Sequence, residues 1–216
     1  MPAKIGLISD THSTTKPLEE AMSVFRRERV DDIICAGDVA GYGEDELMQT
    51  IDLLIENDCK VIAGNHDNLS SDFDYGDNEE RIKDYINSLP GTLELTIEGK
   101  RILVVHAHPP DSQHGGIKLL DPDGHVFPER RERWRKELEN IDCDILIVGH
   151  THQVFAEKLG DVLVINPGST LYNHTCMILT LPDMDVQIYS LSNMEPVTTW
   201  NWGVFFKEQQ IKEGKC

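Results

Sequence analysis

The chain has 216 residues and carries 20 Lys and Arg against 38 Asp and Glu, a net charge of −18. So large an acidic excess excludes a nucleic-acid backbone or an anionic membrane as the main partner, because both reward a basic surface. The 39% hydrophobic content, gathered in compact runs such as Ile145–Val148, excludes disorder and suits one domain over 1–216.

Lys4–Ser9 reads as a short strand, followed by a helix over 17–28 with Leu18, Ala21, Met22 and Phe25 at helical spacing. A second apolar run, Asp32–Ala36, leads to a helix over 44–56, and a third, Cys59–Ala63, ends at Gly64. Short apolar strands alternating with amphipathic helices predict βαβ units and an α/β sheet covered on both faces. The segment 68–78 is polar and acidic and reads as a loop, before a short helix over 79–88. Leu93–Ile97 and Ile102–Val105 form a hairpin around Glu98-Gly99-Lys100. A long loop over 107–127, with two consecutive prolines and a Gly-Gly pair, precedes a charged helix over 128–140 and a strand over 144–148. Short strands dominate 154–191, and the tail 192–216 holds Trp200, Trp202, Phe205 and Phe206, enough apolar surface to pack onto the body.

Five cysteines, Cys35, Cys59, Cys143, Cys176 and Cys216, show no C-x-x-C spacing and read as reduced thiols. No apolar run approaches the ~18 residues of a membrane span, and Asp10 arrives too soon for a signal peptide. The expectation is a soluble, cytoplasmic protein without a membrane partner; a homo-oligomer is left open.

Chemistry gathers at the exits of the apolar runs. Asp10-Thr11-His12 follows the first, Gly37-Asp38 the second, and Gly64-Asn65-His66-Asp67 the third; His106 and Gly149-His150-Thr151-His152 follow later strands. Parallel strands converge on one crest, where α/β proteins bind ligands. Asp10 and Asp38 packed together without a cation would repel until one took a proton. Divalent ions resolve that conflict, and mixed His, Asp and Asn donors suit Mn, Fe, Co, Ni or Zn. Seven donors suffice for two ions with a bridging carboxylate, a clamp suited to in-line displacement at phosphorus.

These five segments, in order over 5–152, resemble the motifs of the calcineurin-like binuclear metallophosphoesterases, and Asn166-Pro167-Gly168-Ser169 resembles their compact prokaryotic phosphodiesterase branch. The resemblance implies a four-layer α/β/β/α sandwich of two mixed β-sheets. It places one metal on Asp10, His12, Asp38 and His152 and the other on Asp38, Asn65, His106 and His150. It makes His66 a general acid or charge stabiliser oriented by Asp67, and a metal-bridging hydroxide the in-line nucleophile. The family's usual His-Gly at the fourth motif is His106-Ala107-His108 here. His108 could compete as a ligand, but His106 directly ends the strand and is the better choice. Tyr42 either overhangs the site and stacks on substrate or packs on a neighbouring loop. His108, His114 and His125 read as solvated loop histidines rather than phosphate contacts. The Arg130–Lys136 run reads as a solvated helix face before a phosphate-steering one, and the acidic loop with Asp72, Asp74 and Asp77 discourages a long polyanion. The leading expectation is a metal-dependent phosphoesterase, foremost a phosphodiesterase, acting on a small phosphoester. A nuclease or nucleotide pyrophosphatase is the enzymatic alternative, and a metal-binding scaffold without activity, like the retromer subunit of this fold, is the third.

Overall fold

The computed structural model describes residues 2–41, 46–69 and 75–200. Among the described residues ten strands and four α-helices follow in the order β1 (Ala3–Ile8), α1 (Thr15–Glu28), β2 (Asp32–Cys35), α2 (Leu47–Glu56), β3 (Lys60–Val61), α3 (Glu79–Ser88), β4 (Thr92–Ile97), β5 (Lys100–Val105), α4 (Pro128–Glu137), β6 (Ile145–Ile147), β7 (Val154–Leu159), β8 (Val162–Pro167), β9 (Thr175–Leu181) and β10 (Asp185–Ser190). Two mixed five-stranded sheets result, ordered β10-β9-β1-β2-β3 and β4-β5-β6-β8-β7. In the first, β1, β2 and β3 are parallel; in the second, β5, β6 and β8 are. The antiparallel strands β9, β10, β4 and β7 complete the flanks.

Strand alternation sends side chains to opposite faces, and both faces of both sheets are covered. Ile5, Leu7, Ile34 and Ile62 of the first sheet's side meet Ile102, Val104, Ile145 and Ile165 of the second in a shared core. On the outer face of the first sheet, Ile8 and Cys35 pack under Leu18, Met22 and Phe25 of α1 and Ile51 and Leu54 of α2. On the outer face of the second, Leu146, Val148 and Val164 pack under Trp134 of α4 and under Ile117 and Leu119. The layers are therefore α/β/β/α, as the resemblance implied. Each fully buried Leu, Ile or Phe contributes about 1.5–3 kcal/mol, so the apolar stripes of α1 and α2 suffice to fix both helices against the first sheet.

Differences from the sequence reading have local causes. Helix α1 starts at Thr15, leaving Pro17 in the first turn, where a missing N–H costs nothing. Helix α2 begins at Leu47 rather than at residue 44. Strand β3 shrinks to Lys60–Val61: Ile62 still donates its amide to Cys35 of β2, but Ala63 turns its amide away to the Pro90 carbonyl. Helix α4 stops at Glu137, and Glu139 closes a tighter turn onto Lys136. The loop over 107–127 is a fixed wall, with Ile117 and Leu119 fully buried and Leu120 nearly so. Of the apolar tail, Trp200 is described; Trp202, Phe205 and Phe206 lie outside the described residues, as do Tyr42, Asp72 and Asp74.

Candidate metal centre

The ends of parallel strands carry all seven predicted ligands: β1, β2 and β3 deliver Asp10, His12, Asp38 and Asn65, and β5 and β6 deliver His106, His150 and His152. The loops are stitched together by backbone hydrogen bonds. Asp10 and His12 donate to the carbonyls of Gly37 and Asp38 at 2.9 and 3.1 Å, and Gly149 donates to His106 at 2.8 Å. The two crests are thereby joined into one floor.

The backbone there is strained. Asp10, His12, Asp38, His150 and His152 all have positive φ, between 47° and 65°, a region costing a side-chain-bearing residue roughly 1–3 kcal/mol. Two glycines make the close approach possible. A Cβ at Gly64 would lie 2.2 Å from Asp38 Oδ1 and 2.4 Å from its backbone nitrogen, and one at Gly149 would lie 2.0 Å from Ser9 Oγ and 2.7 Å from Asp10 Oδ2.

The donor atoms fall into three overlapping groups: Asp10, His12 and His152; Asp38, His106 and His150; and His12, Asp38 and His66. Within the first, His152 Nε2 lies 3.2 Å from Asp10 Oδ1 and 3.1 Å from His12 Nε2. Within the second, His106 Nε2 is 3.3 Å from Asp38 Oδ2 and 3.1 Å from Asn65 Oδ1, which also lies 2.7 Å from His150 Nδ1. His106 Nδ1 lies 2.7 Å from the Ala36 carbonyl, and His12 Nδ1 lies 3.3 Å from that of Ala40. A carbonyl only accepts, so Nδ1 carries the proton in both rings and each neutral ring turns its Nε2 lone pair inward. Lone pairs of His106, Asp38 and Asn65 then face one another at hydrogen-bond distance. Such an arrangement needs positive charge among them, either an extra proton or a cation.

The electrostatics point the same way. Burial opposes charge on His106, yet the hydrogen bond and the charge of Asp38 outweigh it and lift the ring to about 9. Burial pushes His12 down to about 4 against the pull of Asp10, and takes His150 to about 4 with help from the charge of His106. Asp10, fully buried, would be raised by burial, but the histidines around it, His152 foremost, hold it well below the usual carboxylate range. Asp10 is favoured as a carboxylate and His12 and His150 as neutral imidazoles, the protonation states in which such groups ligate metals, whereas His106 beside Asp38 holds a proton that a bound cation would displace. The donor set fits two adjacent cations.

His66 stands on the short turn Asn65–Asp67, half-buried, its ring edge-on to His12 with centroids 5.1 Å apart. Its amide donates to Asp38 Oδ1 at 2.8 Å. Asp67 accepts the amides of Ala40 at 2.8 Å and Gly64 at 2.7 Å, one on each oxygen, so it ties the second motif to the third. Burial, partly offset by those amides, pushes its carboxyl up to about 7. His108 lies outside the three groups; its Nδ1 meets the Pro109 carbonyl at 2.9 Å and its ring rests on Trp134 at 5.7 Å. Ala107 is buried without a positive φ, so the site asks for no glycine there. His114 and His125 are exposed.

Several supporting residues lie outside the five donor-bearing motifs. Asn173 donates from Nδ2 to the His152 carbonyl at 2.9 Å and to Val197 at 2.5 Å, while its Oδ1 accepts the Ser169 amide at 2.7 Å. Tyr172 stacks on His152 with centroids 5.2 Å apart and an interplanar angle of 21°, and Trp200 lies against Tyr172 at 4.9 Å. Asn166 donates to Gly149 at 2.9 Å, and Ser169 Oγ donates to the Asp10 carbonyl at 2.6 Å, so that segment braces the first and fifth motifs. Ser9 Oγ donates to Asp10 Oδ2 at 2.5 Å. A polar residue just before Asp10 was the one available signal for Ser9; Tyr172 and Asn173 gave none.

Over the floor opens a cavity of about 500 Å3 whose lining includes Asp38, Asn65, His66, His150 and His152. Strand order, strained loops and clustered His and Asp donors define a candidate metal site. Residues 3–183 match the calcineurin-like phosphoesterase superfamily domain, and the chain belongs to that family of phosphoester hydrolases, which use divalent metal ions. A probable metallophosphoesterase of Methanocaldococcus jannaschii is 31% identical over 170 residues, covering 76% of this chain and 67% of that protein. A phosphodiesterase of the same organism is 25% identical over 169 residues, covering 76% and 82%. Among solved structures, a hypothetical protein of Pyrococcus horikoshii shares the fold with a TM-score of 0.71 at 14% identity, over 98% of this chain and 94% of that one. No helix among the described residues is long and apolar enough to cross a membrane.

Proposed function

We propose that this chain is a phosphodiesterase of small phosphoesters, carried by one domain that works with two divalent transition-metal ions drawn from Mn, Fe, Co, Ni and Zn. The observation that carries the reading is the convergence of metal-type donor residues, Asp10, His12, Asp38, Asn65, His106, His150 and His152, on one floor, with the Nε2 lone pairs of His12 and His106 turned inward. Asp10, His12, Asp38 and His152 would hold one ion, and Asp38, Asn65, His106 and His150 the other. Bound ions supply positive charge for a phosphoryl oxygen and acidify water at neutral pH.

The protein's own groups do the rest. Asp38 belongs to two of the three donor groups, which fits a carboxylate shared between both sites. His66 faces the cavity beside the floor and is the one imidazole there not assigned to an ion. As imidazolium it neutralises a phosphate oxygen or hands its proton to the departing ester oxygen. Asp67 keeps His66 in place by clamping the turn that carries it. The phosphodiesterase among the relatives supports the diester preference, and the cavity volume suits a small molecule rather than a polymer.

The test is metal analysis joined to a substrate panel. Reconstituted protein should hold close to two ions per chain and hydrolyse bis(p-nitrophenyl) phosphate faster than the monoester. One ion or none, or no turnover of any phosphoester with any of the five metals, sinks the reading.

A further inference from the structure

The cavity is far larger than a single phosphate needs, and its wall beyond the metal floor is charged in an unusual way. In a body of net charge −18, that wall carries Lys118 and Arg130. Among the described residues neither is in an ion pair, whereas the other basic residues of α4 all are: Arg131 with Glu157, Arg133 with Glu137, and Arg135 and Lys136 with Glu132. The one arginine of that run without a carboxylate is the one that lines the cavity.

Both cations sit on backbone built to hold them. Ile117 and Leu119, on either side of Lys118, are fully buried, which fixes the chain while the lysine stays exposed. Gln153, next to the ligand His152, accepts the amides of Leu119 and Leu120 at 2.8 and 3.0 Å and donates to the Leu120 carbonyl at 3.1 Å. Arg130 Nη1 donates to that same carbonyl at 2.7 Å, with its guanidinium over the Phe127 ring at 5.1 Å. Among the described residues the rest of the guanidinium fork makes no hydrogen bond. Asp121 is the acid on this wall; its Oδ1 accepts the amides of Asp123 and His125, both at 2.9 Å, so it serves its own turn. The wall keeps a net charge of +1, joined through Gln153 to the loop of the metal ligands.

We propose that Lys118 and Arg130 bind a second phosphate of the substrate, so that the natural substrate is a phosphoester bearing another phosphate group beyond the one hydrolysed. The inference rests on the phosphoesterase reading of the floor. Ions bound there would neutralise the reacting phosphate; Lys118 and Arg130, beside it in the same cavity, are left for a different anion. A guanidinium fork with free N–H groups next to a mobile ammonium suits the oxygens of a terminal phosphate.

The experiment compares adenosine 5′-monophosphate with two bisphosphorylated probes: adenosine 5′-diphosphate, whose second phosphate is anhydride-linked, and adenosine 3′,5′-bisphosphate, whose second phosphate lies across the sugar. Each is titrated calorimetrically into the Mn-loaded full chain and assayed as an inhibitor of bis(p-nitrophenyl) phosphate hydrolysis. At least one bisphosphorylated probe should bind about tenfold tighter than the monophosphate, and whichever does identifies the linkage. Lys118→Ala and Arg130→Gln should each remove about tenfold of that preference, the usual scale of a charge-assisted hydrogen bond, and Lys118→Arg should keep it. Because the Lys118 side chain makes no hydrogen bond or ion pair among the described residues, Lys118→Ala decides the matter even if Arg130→Gln loosens the loop. Equal binding of mono- and bisphosphorylated probes, or a preference untouched by Lys118→Ala, overturns the proposal. A preference that Lys118→Ala abolishes in a protein that hydrolyses no phosphoester would sustain the second-phosphate site while sinking the catalytic reading, so the two failures are distinguishable.

Discussion

The floor of the cavity and its wall are built on opposite plans. The floor is made of strand ends, locked by backbone hydrogen bonds between loops, with five of the proposed ligand residues held at positive φ. The wall is made of the loop over 107–127, the start of α4 and the segment reaching Trp200, held mainly by side chains such as Gln153, Arg130 and Asn173. Floors of this kind fix reacting atoms to within fractions of an ångström, and a parallel sheet supplies the rigidity. A wall of loops can change its chemistry without disturbing the floor. The difference teaches that reaction class and substrate choice are written in separate parts of this chain.

The most damaging change to the floor should be Asp38→Asn. Asp38 is buried, faces His106 at 3.3 Å and belongs to two donor groups, so one substitution removes the charge common to both. Metal content by elemental analysis should fall from about two ions per chain to one or none, with loss of activity by more than about 100-fold, beyond the scale on which supporting residues act. Retention of both ions would show that Asp38 is not the shared ligand. His66→Gln should come next. Its turnover should fall by about 100-fold or more, the usual scale for a lost acid–base group, while metal content stays at the wild-type value. Unchanged turnover would remove His66 from the chemistry.

Where floor and wall meet, Asn173→Ala should have an intermediate effect. The loss strands the buried Ser169 amide and the Val197 carbonyl, and leaves the His152 carbonyl with the Trp200 amide alone. Each buried group left unsatisfied costs about 1–3 kcal/mol, so thermal unfolding should shift downward by several degrees. Metal affinity should drop by about 10–100-fold, as for other residues that orient ligands. A stability loss with unchanged metal affinity would make Asn173 a brace of the wall alone.

How much of this was legible in the sequence follows the same division. The floor was legible because its residue types stand out: Asp10, Asp38 and Asn65 interrupt apolar runs where a core strand would continue or a plain turn would do. Helix positions were legible from the spacing of Leu18, Met22 and Phe25. Sheet order was not, because the pairing of β9 beside β1 joins residues such as Ile5 and Leu179 that no local pattern links. The strain at His150 and His152 was equally hidden, since a backbone angle imposed by a distant loop leaves no mark on residue type. The wall was least legible. Arg130 looks like any member of its charged run until the fold turns it to the cavity, and Tyr172 and Asn173 gain their roles only through contacts with a ligand loop some twenty residues before them.

The smallest expected effect is the one that most sharpens the comparison. Arg133 sits one turn along α4 from Arg130, but it pairs with Glu137 at 2.8 Å and lies over Trp134 at 5.0 Å, on an exposed face. An exposed i,i+4 pair contributes about 0.3–0.5 kcal/mol, so Arg133→Ala should move the unfolding midpoint by no more than a degree or two. It removes the same formal charge as Arg130→Gln and makes the acidic body more negative by the same amount. If the preference for a second phosphate came from the overall field, both substitutions would weaken it alike, and raising the ionic strength would erase the effect of each. If it comes from the wall, Arg133→Ala should leave the ratio of bisphosphate to monophosphate affinity at the wild-type value while Arg130→Gln lowers it about tenfold. A shared drop would assign substrate choice to bulk charge and leave the cavity wall without a role of its own.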